Sequence, residues 1–186
     1  MLRIISGKYS SRKIETDKSL SARPTMAQVR KAIFAILAYR KLLIDSNVLD
    51  LFCGSGSLSF EALSLGAKHS FMVDLNYNNL QLVKRTAENL KVTDNVTLIC
   101  CSADRLPKAV ERCDFAFITP PYNSSFVEST LAGLVNSGWL TDEALIMLEI
   151  GKNEEFQLDK NYNIMLKRIY GAAKIILLSK NSSKTI

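Results

Sequence analysis

An apolar run, Phe115-Ala116-Phe117-Ile118, empties into Thr119-Pro120-Pro121-Tyr122, and this junction constrains the fold more than any other segment. Two consecutive prolines remove two backbone donors and fix two φ angles, so a strand reaching Thr119 cannot continue as a central ladder. The run must end in a stiff corner, with a polar side chain and backbone carbonyls facing outward. Tyr122 stands beside it as a flat apolar surface. Those parts suit the gripping of a planar amine such as a nucleobase.

The segments around the corner alternate in a way that favours a parallel sheet. Residues 2–5 and 12–15 read as short strands around the turn Gly7-Lys8-Tyr9-Ser10, a hairpin. Arg23-Pro24-Thr25 opens a helix with Thr25 as N-cap and an apolar stripe of Val29, Ile33, Phe34, Ile36 and Leu37. Strands are then expected at 47–52, 70–73, 96–100, 114–118 and 144–150, with helices at 58–65, 77–90 and 126–135. Residues 162–170 and 173–178 close near Gly171 as an antiparallel pair at one edge. Alternating βαβ units with short apolar strands predict a doubly wound α/β sandwich.

A chain of 186 residues, 47% apolar and 23% charged, is long enough for one domain with a full core. No apolar run approaches the ~20 residues that span a bilayer. The segment MLRIISGKYSSRK lacks the apolar stretch of a secretory signal, so a cytoplasmic location is expected. Cys53, Cys100, Cys101 and Cys113 show no C-x-x-C spacing and His69 is the one histidine, so buried, reduced thiols are expected and a metal cage is not. The charge is uneven. Residues 1–41 carry ten Lys and Arg against Glu15 and Asp17, while the remainder holds 14 basic and 16 acidic groups, so the formal +6 comes from the N-terminal segment. A basic arm on a nearly neutral body fits a nucleic-acid binder, the plainer alternative being a solvated basic surface.

Ligands of such sheets bind outside the carboxyl ends of the strands. Three ends carry polar chemistry. Asp50-Leu51-Phe52-Cys53-Gly54-Ser55-Gly56 is a strand followed by a glycine turn that lets a backbone approach a ligand at a helix start. A dinucleotide fingerprint would need glycine where Ser59 sits, and no Gly-Lys-Ser/Thr follows, so a nucleoside with an amino-acid tail suits the turn better than a pyrophosphate. Asp74 closes the next strand, 18 residues after Gly56, where an acid can bond ribose hydroxyls; its alternative is an N-cap role that Asn76 could serve equally. Cys101-Ser102-Ala103-Asp104 offers a side chain or amide to a base, or is a plain capped turn.

With Asp74 and Thr119-Pro120-Pro121-Tyr122 in that order, the glycine turn resembles that of S-adenosylmethionine-dependent amino-methyltransferases. Arg3-Ile4-Ile5-Ser6-Gly7-Lys8-Tyr9, Arg23-Pro24-Thr25, Val29-Arg30-Lys31-Ala32-Ile33-Phe34, Glu61-Ala62-Leu63-Ser64-Leu65-Gly66-Ala67 and Tyr170-Gly171 narrow the resemblance to the RsmD family, bacterial 16S rRNA (guanine-N2)-methyltransferases. It implies a Rossmann-like class I fold: a mostly parallel seven-stranded sheet with an antiparallel edge strand, preceded by a hairpin and helix. Residues 1–41 would form an RNA-facing extension and residues 42–186 the methyltransferase domain.

The resemblance further implies S-adenosylmethionine held by Asp50, Phe52, Cys53, Gly54, Ser55, Gly56, Asp74, Leu75, Ser102 and Ala103. Thr119, Pro120, Pro121 and Tyr122 would be the catalytic corner, and Arg3, Lys8, Arg12, Lys13, Arg23, Thr25 and Arg30 the RNA contacts. The partner would be 16S rRNA or the small ribosomal subunit, with no membrane or metal, and the protein a monomer. Two positions depart from the family pattern. Thr119 stands where Asp or Asn begins the Pro-Pro motif, and Ser102 stands where an acid is common. Two alternatives follow: a catalytically weakened RNA-binding relative, and an amino-methyltransferase acting on adenine or DNA.

Overall fold

The computed structural model describes residues 2–17, 24–122 and 125–181, with the side chains of 24–29 left out. Arg23 and the side chains of Thr25 and Val29, named above, lie outside the described parts.

Seven strands build the main sheet: β3 (Asn47–Leu51), β4 (His69–Asp74), β5 (Val96–Cys100), β6 (Cys113–Ile118), β7 (Leu140–Gly151), β8 (Tyr162–Tyr170) and β9 (Ala173–Lys180). Their order is β5-β4-β3-β6-β7-β9-β8. The first five run parallel, and β9 runs antiparallel to both β7 and β8. The chain order reverses between β3 and β6, which makes that boundary the switch point of the sheet.

Period-two alternation sends the strand side chains to two separate cores. Val48, Phe115 and Phe117 pack on one face beneath α1 (Pro24–Tyr39), α2 (Ser57–Ser64) and α3 (Tyr77–Leu90). Leu49, Leu51, Ala116 and Ile118 pack on the other beneath α4 (Phe126–Ser137). The connection from β5 to β6 forms no helix. Trp139, fully buried, anchors it instead by donating its indole N–H to the Pro107 carbonyl at 2.8 Å. The α1 helix begins at Pro24, so Thr25 lies in the first turn and not at the N-cap, and proline at the first helical position explains the shift. Ile33, Phe34 and Leu37 are buried as expected, whereas Ile36 faces out.

The hairpin β1 (Leu2–Arg3) and β2 (Lys13–Ile14) is antiparallel and buries Ile4 and Ile14 in the same core as α1, α2 and α3. Polar staples hold it there. The Ile5 amide donates to Glu61 Oε1 at 2.8 Å, the Tyr9 amide to Ser64 Oγ at 2.9 Å and the Glu15 amide to Thr86 Oγ1 at 3.0 Å. Gly7 sits at φ +80°, pressed so close to α2 that a Cβ would fall 2.0 Å from the Ser64 carbonyl oxygen.

All four cysteines are free; Cys53 and Cys113 are buried, but Cys100 ends β5 in solvent, against the expectation of burial. None of the described helices is long and apolar enough to cross a membrane.

Gly7→Ala should strip the hairpin from α2 and lower stability by about 1–3 kcal/mol, the cost of a left-handed non-glycine residue plus the clash. Urea unfolding checks it; an unchanged midpoint would show that the contact at Ser64 is dispensable.

Candidate functional site

Because β5, β4, β3 and β6 run parallel, their carboxyl ends share one edge of the sheet, and there the three polar strand ends and the proline corner meet. The glycine turn is the tightest part. Phe52, Gly54 and Gly56 all take left-handed φ angles, +63°, +54° and +70°. A Cβ on Gly56 would lie 3.0–3.2 Å from Phe60, Met72 and Val83, so this glycine exists for close packing of α2 on the sheet. A Cβ on Gly54 would meet nothing within 4 Å. The space before Gly54 is open, and a ligand can approach its backbone.

Asp74 clamps this turn. Its Oδ2 accepts the Gly54 amide at 2.8 Å, and its Oδ1 accepts the Asn76 amide at 2.8 Å and the Asn79 side-chain amide at 3.3 Å. A carboxylate offers about four lone-pair sites, which leaves capacity on Oδ2 for one outside hydroxyl. The cap of α3 is Asn76, whose Oδ1 accepts the Asn78 amide at 2.9 Å, so Asp74 is not spent as the N-cap. Leu75 beside it is 73% exposed, a large apolar side chain offered at the ligand edge.

Asp50 is fully buried beneath the turn. Its Oδ2 accepts the Ser59 hydroxyl at 2.6 Å and the Ser59 amide at 3.3 Å, and Ser70 in turn donates to Ser59 at 2.9 Å. Burial, opposed by the Ser59 bonds, raises the carboxyl pKa to about 7. Its Oδ1 has no partner among the described residues. A buried acceptor without a donor is costly, and an ammonium-bearing ligand at the turn would supply one. Open space at Gly54, a carboxylate with spare capacity at Asp74 and an orphaned oxygen at Asp50 together fit a nucleoside with an amino-acid tail. The Cys53 thiol, pushed well up by desolvation, is no nucleophile there.

The third strand end is occupied by its own turn. Ser102 Oγ donates to Asp104 Oδ1, the Arg105 amide bonds the Ser102 carbonyl at 3.0 Å, and Ala103 is buried under the α4 face.

At the switch point the proline corner lies against the glycine turn. β6 pairs with β3 as far as Leu51 opposite Ile118, and the Thr119 amide still reaches the Leu51 carbonyl at 3.4 Å. Thr119 is half-buried and its hydroxyl bonds none of the described residues; Pro120 is buried and Pro121 exposed. Phe52 packs on Phe126 at a ring distance of 5.8 Å. Tyr122 is half-buried, and its hydroxyl donates to Glu149 Oε1 at 2.8 Å. Glu149, missed by the sequence reading, lies near the end of β7 at 8% exposure, and burial raises its pKa against the effect of the Tyr122 bond. Its one sequence signal is an acid interrupting the apolar run Ile146-Met147-Leu148-Glu149-Ile150.

The basic arm divides. Lys8 and Lys13 are exposed, Lys8 over the Tyr9 ring and Lys13 paired with Glu15 at 2.9 Å. Arg3 and Arg12 are exposed, and at 2.7 Å they donate to the backbone carbonyls of Ser11 and Asn89 respectively. Arg30 corrects the expectation of a phosphate contact. It is buried, 3.5 Å from Glu61, and donates to the Arg3 carbonyl at 2.9 Å, so its charge holds the arm in place.

Comparison with known proteins identifies the family of the chain. The family profile described as Conserved hypothetical protein 95 matches residues 2–179. The chain is 30% identical to an uncharacterized methylase of Rickettsia prowazekii, over 98% of this chain and 99% of that one. It is 33% identical to Ribosomal RNA small subunit methyltransferase D of Escherichia coli K12, over 80% of this chain and 74% of that one. The solved structure of the Escherichia coli protein yhhF superposes with a TM-score of 0.87 at 28% identity, covering 98% of this chain and 99% of that one.

A buried carboxyl whose pKa is raised holds a proton in the folded state that the unfolded chain has already lost. Its stabilising contribution is therefore complete below about pH 4 and falls away as pH rises through about 7. Asp50→Asn keeps the acceptor for Ser59 and should flatten stability between those limits by an amount on the order of a few kcal/mol. Denaturant titrations at several pH values test this; an equal slope in both proteins would rule the effect out.

Proposed function

The chain belongs to the RsmD family of methyltransferases, and we propose that it moves one methyl group to the exocyclic N2 amine of a guanine in the 16S rRNA of the small ribosomal subunit. The carrying observation is the adjacency of the glycine turn and the proline corner across β3 and β6, with the Thr119 amide 3.4 Å from the Leu51 carbonyl. A cofactor seated at the one and a base at the other meet across a single strand boundary.

S-adenosylmethionine, the cofactor of the family, supplies an electrophilic methyl carbon on a sulfonium. The open face of Gly54 and the orphaned oxygen of Asp50 would receive its amino-acid tail, Asp74 its ribose, and Leu75 one face of its adenine. Ser55 at the crest of the turn adds its amide. Ser102, tied to Asp104, contributes through the shape of its turn.

An aromatic amine is a poor nucleophile because its lone pair is delocalised into the ring. Acceptors at the corner, the Thr119 hydroxyl and the Pro120 carbonyl, take hydrogen bonds from the amine and turn its lone pair toward the methyl. Transfer of the methyl carbon from a bound sulfonium to that lone pair would leave a surplus proton on the nitrogen, which would pass to water at the open strand edge. Alignment of this kind can supply ~7–11 kcal/mol. Pro121 stiffens the corner. The base must first leave its stack, and the Tyr122 ring holds it by its face for about 1–3 kcal/mol. Arg3, Lys8, Arg12 and Lys13 contact phosphates on the arm side, where all four cationic side chains are exposed.

Labelled S-adenosylmethionine and small subunits lacking the modification test the whole reading, with N2-methylguanine as the expected product. Label in adenine or DNA, or RNA binding without transfer, would replace it. Tyr122→Ala should lower turnover by roughly 10–100-fold, the stacking energy expressed as a rate, at unchanged cofactor affinity. A large loss of cofactor binding instead would contradict the stacking role. Lys8→Glu with Lys13→Glu should weaken RNA binding and reduce its salt slope by roughly one to two, measured by filter binding across a salt series. An unchanged slope counts against the arm as the contact surface.

A further inference from the structure

Glu149 is an expensive residue for its position. It sits among Ile146, Met147, Leu148 and Ile150 near the end of β7, at 8% exposure, and a buried carboxylate needs a compensating charge or several donors. Among the described residues it has one bond, the neutral hydroxyl of Tyr122 at 2.8 Å, and no cation. Lys174 is buried one position along on β9, opposite Ile150, yet its ammonium goes to Glu155 at 2.7 Å and to the Glu154 carbonyl. Packing alone does not account for an acid here.

Its place in the sheet is informative. β6 and β7 run parallel with Ile118 opposite Leu148, so one residue further along Thr119 and Glu149 stand side by side at the strand ends. The corner that begins with an uncharged Thr119 thus has a carboxylate on the neighbouring strand. That carboxylate is already bonded to the aromatic side chain of the corner.

We propose that Glu149 reads the target base, its carboxylate accepting the N1–H of guanine beside the N2 amine held at Thr119 and Pro120. The inference rests on the proposed guanine-N2 activity and deepens it. Guanine presents N1–H and N2–H as adjacent donors, which suits an acceptor-only group with about four lone-pair sites. Adenine and cytosine present a ring-nitrogen acceptor next to their amine, and a carboxylate facing that acceptor repels it. Glu149 therefore selects guanine by accepting from its adjacent donors, with the Tyr122 bond an accessory contact on the same carboxyl.

The test uses small-subunit substrate carrying either guanine or 2,6-diaminopurine at the mapped target position. Diaminopurine keeps the 2-amine but replaces N1–H with an acceptor. Wild-type protein should prefer guanine strongly, and Glu149→Gln, whose amide can donate, should shrink the guanine-to-diaminopurine ratio of kcat/KM by about tenfold or more. Cofactor affinity should not change, and the ratio is internal to each protein, so a partly misfolded variant cannot mimic the result. Tyr122→Phe should leave the ratio within a few-fold of wild type. An unchanged ratio in Glu149→Gln overturns the inference, as does an equal shift in Tyr122→Phe, which would mean that Glu149 acts only through the tyrosine. Wild-type protein that leaves guanine N2 unmodified overturns the underlying reading and this one with it, an outcome distinct from both.

Discussion

The parallel ladder between β3 and β6 runs from Val48 opposite Phe115 to Leu51 opposite Ile118, at the boundary where the order of the sheet reverses. Both strands are buried on both faces, and Val48, Leu49, Leu51, Phe115, Ala116, Phe117 and Ile118 have no exposure. A slip of one residue would exchange the two cores, so the register is strongly specified. That register sets where each strand stops. It brings the left-handed turn at Phe52–Gly56 and the corner at Thr119–Tyr122 to the same depth, side by side. The chemistry proposed for the corner needs that placement more than it needs any one side chain.

Around the ladder, buried polar groups do the fine positioning. Asp50 ties β3 to α2 through Ser59, with Ser70 of β4 completing the chain. Glu61 on the same helix faces the other way, taking the Ile5 amide and the Arg30 guanidinium, so α2 anchors both the turn and the arm. Burial raises the Glu61 pKa and lowers that of Arg30, with the ion pair opposing both shifts. Breaking such a pair by removing one partner is far costlier than the pair is stabilising. The arm is consequently held in the same core as the sheet, and its exposed cations keep a fixed position relative to the corner.

Much of this was legible in the sequence because it rests on local patterns. The α3 helix spans Tyr77–Leu90 and the strands Val96–Cys100 and Tyr162–Tyr170 as their periodicity predicts. Strands grew where neighbours extended them: β7 begins at Leu140 and not at 144, because β6 offers a pairing partner at Cys113. What stayed illegible depends on distant contacts. Arg30 looked like one more surface cation, and only a glutamate 31 positions away on another helix makes it a buried staple. Glu149 read as part of an apolar strand, and its meaning came from a tyrosine 27 residues earlier on the adjoining strand end. Charge in a sequence shows sign but not depth. Ser102 shows the converse, since its bond to Asp104 lies two residues away and the capped-turn alternative described it well.

Thr119 takes on a different aspect once the surrounding charges are placed. Asp50, Asp74 and Glu149 line the same sheet edge, and the field of Asp74 already helps to raise the Asp50 pKa. A fourth carboxylate at position 119, beside Glu149, would put two like charges at one corner and drive one of them to hold a proton. A protonated acid keeps its carbonyl acceptor but turns an added O–H donor toward the amine's own donors. Threonine avoids that conflict, because its hydroxyl keeps acceptor lone pairs without adding charge. The proposed division of labour follows from this constraint. The neutral hydroxyl and the Pro120 carbonyl orient the amine, while the carboxyl of Glu149 discriminates between bases. In that arrangement the uncharged Thr119 and the buried Glu149 are two parts of one solution.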